Sequence, residues 1–125
     1  MELIKGEPDI VIDGGHNPAG VSALLSALTS MGIVRPVFIF GMVSTKDKES
    51  AAMLLSSYAK AVVCTDGFAY NAVDRNILAE LITCEKYVSP VDDALRLAKM
   101  IAKAENNPIV ICGSLYMTEL FRKMI

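Results

Sequence analysis

Four short runs of this chain are apolar at every position: Ile10-Val11-Ile12, Val37-Phe38-Ile39-Phe40, Ala61-Val62-Val63-Cys64 and Ile109-Val110-Ile111-Cys112. A β-strand points successive side chains to opposite faces, so a run with no polar position has no face to give to water. Short two-sided apolar runs rich in Val and Ile belong in a sheet covered on both sides, and sheets of that kind are parallel. Asp13, Gly41, Thr65 and Gly113 close the four runs. A weaker strand is read near Tyr87-Val88.

Segments of helical period fill the intervals. Asn17-Pro18 reads as an N-cap followed by Pro at the first helical position, where its missing N–H costs nothing. Val21, Leu24, Leu25 and Leu28 then form one apolar stripe, and Gly32 is the expected terminator. Ser89-Pro90 reads as the same device, with Asp92 and Asp93 in the first turn and Val91, Leu95, Ala98 and Ala102 as the buried face. Helices are also expected around 47–58, around 71–82 (with Val73, Ile77, Leu78 and Leu81 on one side) and at the end of the chain, through Met117, Leu120, Phe121 and Met124. Strands and helices therefore alternate as β-α-β-α-β-α-β-α-β-α. The expectation is one α/β domain over residues 1–125, doubly wound, with a mostly parallel sheet and helices on both faces.

Composition closes off several functions. The chain has 125 residues, 53% of them hydrophobic and 21% charged, enough for a buried core in one domain. Its net charge of −2 and scattered Lys and Arg give no basic stripe, so nucleic acid is not an expected partner. The apolar runs are too short to span a bilayer, so no membrane role is expected. Glu2, Lys5, Glu7 and Asp9 break up any leader-like stretch. Cys64, Cys84 and Cys112 lack metal-ligand spacing and suit a reducing, cytoplasmic setting, and the single His rules out a multi-His metal centre.

In a doubly wound sheet, ligands gather beyond the carboxyl ends of the strands. Those ends carry Asp13-Gly14-Gly15-His16-Asn17-Pro18, Gly41 to Asp47, Thr65-Asp66-Gly67 and Gly113-Ser114-Leu115-Tyr116. In the first segment Gly14 and Gly15 let the chain turn sharply and let a ligand approach the backbone. Asp13 can accept from hydroxyls such as those of a ribose, and His16 can donate to a carboxylate or phosphate. The same Asp13 and Asn17 would serve equally well as turn and cap residues. Lys46 can offer a point charge, or simply be solvated beside Asp47, Lys48 and Glu49. Ser114 can bond a carboxylate or cap its helix, and Tyr116 reads as a half-buried aromatic. No Ser-His-Asp or Cys-His arrangement is evident, and the first segment lacks the Gly-Lys-Ser/Thr ending of a P-loop.

These segments together resemble one family. Asp13-Gly14-Gly15-His16-Asn17-Pro18 is similar to the Asp-Gly-Ala-His-Asn-Pro segment of folylpolyglutamate and dihydrofolate synthases, with Gly15 in place of the Ala. Phe40-Gly41 followed by Lys46-Asp47 resembles a second motif, with Thr45 where the family commonly has Asp. Gly113-Ser114-Leu115-Tyr116 matches a third in full. The resemblance implies a Rossmann-like carboxy-terminal domain of a Mur-type ligase, whose P-loop and central domains lie outside this chain and would be its partners.

The resemblance further implies that Asp13 contacts ATP, that His16, Lys46 and Ser114 hold the incoming L-glutamate, and that Gly14, Gly15, Asn17 and Gly113 shape the loops. Catalytic residues within the domain are not implied. Mg2+ and most of the ATP would be bound by the other domains, and the Arg of a Gly-Arg pair that the family has before its first strand is lacking here. The implied reaction joins L-glutamate to a folate or dihydropteroate carboxylate through an acyl phosphate, and the domain alone is expected to be inactive. Two other readings fit the residues. One is a stand-alone module binding a nucleotide or acidic metabolite. The other is the equivalent domain of a different Mur-type ligase.

Overall fold

In a computed structural model that describes residues 1–44 and 47–125, the two-sided apolar runs lie side by side in the middle of one sheet. In chain order the elements are β1 (Glu2–Ile4), β2 (Ile10–Ile12), α1 (Pro18–Ser30), β3 (Val37–Phe40), α2 (Lys48–Tyr58), β4 (Ala61–Asp66), α3 (Arg75–Leu81), β5 (Lys86–Pro90), α4 (Val91–Lys103), β6 (Ile109–Cys112) and α5 (Leu115–Met124). The strands are ordered β1-β2-β6-β3-β4-β5 across the sheet. All neighbours from β2 to β5 pair in parallel, with Val110, for example, opposite both Val11 and Phe38.

Alternation divides the core in two. Val11, Phe38, Phe40, Val62, Cys64, Val110 and Cys112 face one layer, where they meet Val21, Leu24 and Leu28 of α1, Ala51, Ala52 and Leu55 of α2, and Leu78 of α3. Ile10, Ile12, Val37, Ile39, Val63, Ile109 and Ile111 face the other, against Val91, Ala94, Leu95, Ala98 and Ala102 of α4 and Met117 and Phe121 of α5. The doubly wound, mostly parallel sheet with helices on both faces is thus the observed fold. Asn17 caps α1, its Oδ1 accepting from the Gly20 N–H at 2.8 Å, with Pro18 at the first helical position. Gly32, at φ +76°, ends that helix in a Schellman arrangement: Gly32 N–H donates to Thr29 O and Ile33 N–H to Leu28 O.

The structure departs from the sequence expectations at four places. An edge strand, β1, pairs antiparallel with β2, placing Leu3 opposite Val11. Ser89 and Pro90 close β5, where Asp66 and Pro90 are still in register, and α4 starts one residue later than expected, with Pro90 as the N-cap residue in place of Ser89 and with Asp92 and Asp93 in its first turn. Ser89 is buried and its hydroxyl donates to Pro90 O, so α4 begins without a side-chain cap. The helix expected around 71–82 is shorter because Asp74 caps it, accepting from the N–H groups of Asn76 and Ile77. Of its anticipated apolar face Leu78 is buried, while Ile77 is exposed, as is Met124 of α5.

Burial also decides the thiol chemistry. Cys64 and Cys112 are buried and Cys84 is partly exposed. Burial pushes the Cys64 thiol up to about 12 and raises Cys112 further, with the charge of Asp13 adding to the second shift. Neither supplies a thiolate near neutral pH. In the folded protein at mildly alkaline pH, a maleimide should therefore label Cys84 alone, and Cys64 and Cys112 should react only after denaturant is added. Mass spectrometry of the time course checks this, and equal labelling rates for all three thiols would contradict it.

Candidate functional site

Strand β6 sits between β2 and β3, yet its helix α5 packs on the opposite face from α1 and α2, which follow those two neighbours. The loops leaving β2 and β6 therefore part to opposite sides, and so do those leaving β6 and β3. This opens a crevice at the carboxyl edge, the place where open α/β sheets bind ligands.

The three strand ends are tied to one another just beyond the ladder. Asp13 N–H donates to Ile111 O at 2.9 Å, Gly41 N–H to Cys112 O at 3.4 Å and Gly113 N–H to Gly15 O at 3.1 Å. Gly113 has φ +112°, and a Cβ there would lie 2.2 Å from Gly41 O, so only glycine lets β6 turn toward α5 at this point. A Cβ on Gly41 would meet the side chains of Phe68 and Met117, at 2.6 and 2.7 Å. The segment after it is braced from outside: Val73 N–H donates to Met42 O at 2.8 Å and Ser44 N–H to Asn71 O at 3.0 Å.

Between these loops lies a cavity of about 240 Å3 lined by His16, Val43, Ser114, Leu115 and Tyr116. The structure thus brings His16 and Ser114 to one hollow from separate strands, while Lys46 lies outside the described residues. Ser114 is buried at the N-cap of α5, where its Oγ accepts from the Met117 N–H at a long 3.5 Å. Its hydroxyl proton has no acceptor among the described residues. His16 is exposed at the mouth. Asp13 turns its carboxylate back on its own loop, where Oδ2 accepts from Gly15 N–H at 2.9 Å. Each carboxylate oxygen has two lone pairs, so Asp13 keeps acceptor capacity for a hydroxyl. Gly14 lies beneath Leu115, whose Cδ1 would be 3.1 Å from a Cβ added there, and Gly15 packs against Gly20 of α1.

Sequence reasoning had named no lining role for Val43, Leu115 or Tyr116. Leu115 and Tyr116 are 63% and 68% exposed, so Tyr116 is a surface aromatic and not the half-buried one expected. No periodicity marks them, because they lie on the side of the first turn of α5 turned away from the buried Met117 and Thr118. Asp66, also on the rim, is committed elsewhere: its Oδ2 accepts from Arg75 N–H at 2.8 Å and its Oδ1 lies 3.4 Å from the Arg75 guanidinium. A larger hollow of about 580 Å3 lies along α4. The rim cavity joins the loops leaving β2, β3 and β6 at the carboxyl edge of the sheet, which makes it the better candidate for recognition of a small ligand.

No group of three or more His, Cys, Asp or Glu side chains among the described residues can hold a metal ion. No metal-dependent step is assigned to this chain.

The crowding at Gly113 gives a direct test. Gly113→Ala should destabilise the fold by roughly 2–5 kcal/mol, the sum of backbone strain and overpacking. Gly32→Ala, also at positive φ but with nothing within 4 Å of the added Cβ, should cost only about 1 kcal/mol. Urea denaturation of the two variants compares them, and equal midpoints would contradict the assignment.

Residues 1–115 match the family model described as the glutamate ligase domain of Mur ligases. Folylpolyglutamate synthase of Lacticaseibacillus casei is 28% identical over 125 residues, covering 100% of this chain and 29% of its own length. The structure of Mycobacterium tuberculosis folylpolyglutamate synthase complexed with ADP and AMPPCP superposes with a TM-score of 0.89 at 26% identity, over 98% of this chain and 31% of that one. A bifunctional folylpolyglutamate synthase/dihydrofolate synthase from Yersinia pestis shares the fold, with a TM-score of 0.78 at 23% identity, over 98% of this chain and 30% of its own. The chain therefore spans less than a third of the length of these relatives.

Proposed function

The chain belongs to the Mur ligase glutamate ligase domain family, and from that premise we propose that it is the carboxy-terminal, glutamate-binding part of an ATP-dependent ligase acting on a folate or dihydropteroate carboxylate. The observation that carries this reading is the meeting of His16 and Ser114 at one rim cavity of about 240 Å3, a volume suited to one small amino acid. Relatives named as folylpolyglutamate synthases, one of them solved with ADP and AMPPCP, support the folate branch and the use of a nucleotide.

In the reaction, a substrate carboxylate activated as an acyl phosphate is attacked by the amine of glutamate. The C–N bond forms, the C–O bond to phosphate breaks with its electron pair leaving on phosphate, and the amine loses a proton. This chain's contribution is positional. The His16 ring N–H and the Ser114 hydroxyl donate to a glutamate carboxylate, Lys46 adds a positive charge, and Val43, Leu115 and Tyr116 wall the cavity. Asp13 accepts from a nucleotide hydroxyl, with Gly14 and Gly15 keeping the backbone low beneath it. Asn17 and Gly113 hold the two loops in place. Fixing an amine against an acyl phosphate can contribute roughly 7–11 kcal/mol of the barrier reduction. That gain depends on the P-loop and central domains closing on this edge, a motion on roughly the microsecond-to-millisecond scale.

The test is a titration of the purified chain with L-glutamate and with ATP separately, followed by backbone amide shifts. Glutamate should move residues 14–17 and 113–116, and His16→Ala or Ser114→Ala should weaken it by about tenfold or more, the loss of a hydrogen bond to a charged group. Ligation assayed with the chain alone should be absent. Glutamate shifts confined to other surfaces, or ATP-dependent ligation by the chain alone, would overturn the reading.

A further inference from the structure

Strand β4 outruns its neighbour β3. Phe40, the last residue of β3, pairs with Cys64, whereas β4 continues through Thr65 and Asp66, still in register with Ser89 and Pro90 of β5. Asp66 therefore stands beyond the end of β3 on the carboxyl edge, and Gly67, at φ +85°, turns the chain there. Residues 66–75 form a loop that closes on its own first residue. Asp66 Oδ2 accepts from the Arg75 N–H at 2.8 Å, and Oδ1 lies 3.4 Å from the Arg75 guanidinium. Both bonds are charge-assisted. The Asp66 side chain is only 21% exposed, so water competes for the pair less than at an open surface.

The closed loop grips the segment that leaves β3. Phe68 packs against the core layer beneath α4 and α5 and stands beside Gly41. Ala72 N–H donates to Ala69 O at 3.2 Å, closing a turn with Tyr70 exposed at its tip. After the turn, Val43 and Ala72 form an antiparallel bridge, flanked by the bonds from Ser44 N–H to Asn71 O and from Val73 N–H to Met42 O. Val43 is the one residue that the β3 loop contributes to the rim cavity among the described residues. Two backbone hydrogen bonds do not offset the entropy of ordering the residues that make them. The bridge therefore depends on closure of the loop at its base, where Asp66 meets Arg75.

We propose that Asp66 and Arg75 are positioning residues for the rim cavity: their pairing closes loop 66–75 into a brace that fixes Val43 in the cavity wall. The inference rests on the reading that this cavity binds glutamate. Neither side chain lines the cavity, so both act through residues 71–73 and, through those, on Val43. Phe68 keeps the loop anchored, and loss of the clasp loosens the wall without unfolding the sheet.

Three variants test this: Asp66→Ala removes both bonds, Arg75→Glu sets two carboxylates against each other, and Asp66→Asn keeps an oxygen for the Arg75 N–H. Scalar couplings across hydrogen bonds, measured by NMR without ligand, report the brace itself. The Ser44–Asn71 and Val73–Met42 couplings should be present in the wild type and in Asp66→Asn, and lost in Asp66→Ala and Arg75→Glu. The Asp13–Ile111 coupling, on another strand pair, should persist in all four proteins. Glutamate titrations should follow the couplings. Binding should weaken by about fivefold in Asp66→Ala and Arg75→Glu, a typical effect of residues that do not touch the ligand, and stay within about twofold of wild type in Asp66→Asn. Couplings that survive in Asp66→Ala or Arg75→Glu, or couplings lost with glutamate affinity unchanged, would overturn the brace while leaving the cavity assignment intact. A wild-type chain that does not bind glutamate would overturn the cavity assignment, and this role with it.

Discussion

The seat of β6 between β2 and β3 is the constraint on which the rest of this molecule depends. Its Ile109, Val110 and Ile111 are paired in parallel on both sides at once, with β2 and with β3, and all are fully buried. A strand in that position has no free edge and no free face. Its only freedom is where the chain goes next, and Gly113 settles that by turning it against Gly41 O toward the face opposite α1 and α2. The crevice at the carboxyl edge follows from this one reversal, since loops that all left to the same face would have closed over it.

Parts of this arrangement were legible in the amino-acid sequence because burial leaves a pattern. Val37 to Phe40 and Ile109 to Cys112 are apolar on both faces because both faces are covered, and Asn17-Pro18 and Gly32 marked the ends of α1 through backbone chemistry that few other residues supply. Strand β1 was not legible: Glu2 and Leu3 are exposed, and its three residues are ordered by the Ile10–Ile12 strand beside them. Ser89-Pro90 misled for a related reason. A Ser-Pro pair before an apolar period has the form of a helix start, but the ladder to β4 runs on through Thr65 and Asp66, and tertiary pairing outweighed the local preference.

The site shows the same division. Residues 13–18 and 113–116 announce themselves as glycine-containing loops after strands, and the structure places His16 and Ser114 on one cavity. The lining by Val43 arises only from the cross-loop hydrogen bonds that hold residues 42–44 against Asn71 and Val73, which no spacing in the sequence encodes. The strand order that makes the two loops neighbours is likewise a property of helix placement on the two faces.

The central claim is that one small dicarboxylate sits between the loops leaving β2 and β6. Isotope-filtered NOE spectroscopy with labelled L-glutamate tests it most directly, because it reports which protons touch the ligand. The account predicts contacts from glutamate methylenes to the methyl groups of Val43 and Leu115 and to the ring of Tyr116. Contacts to side chains of α4 instead, with the rim untouched at saturating glutamate, would contradict it.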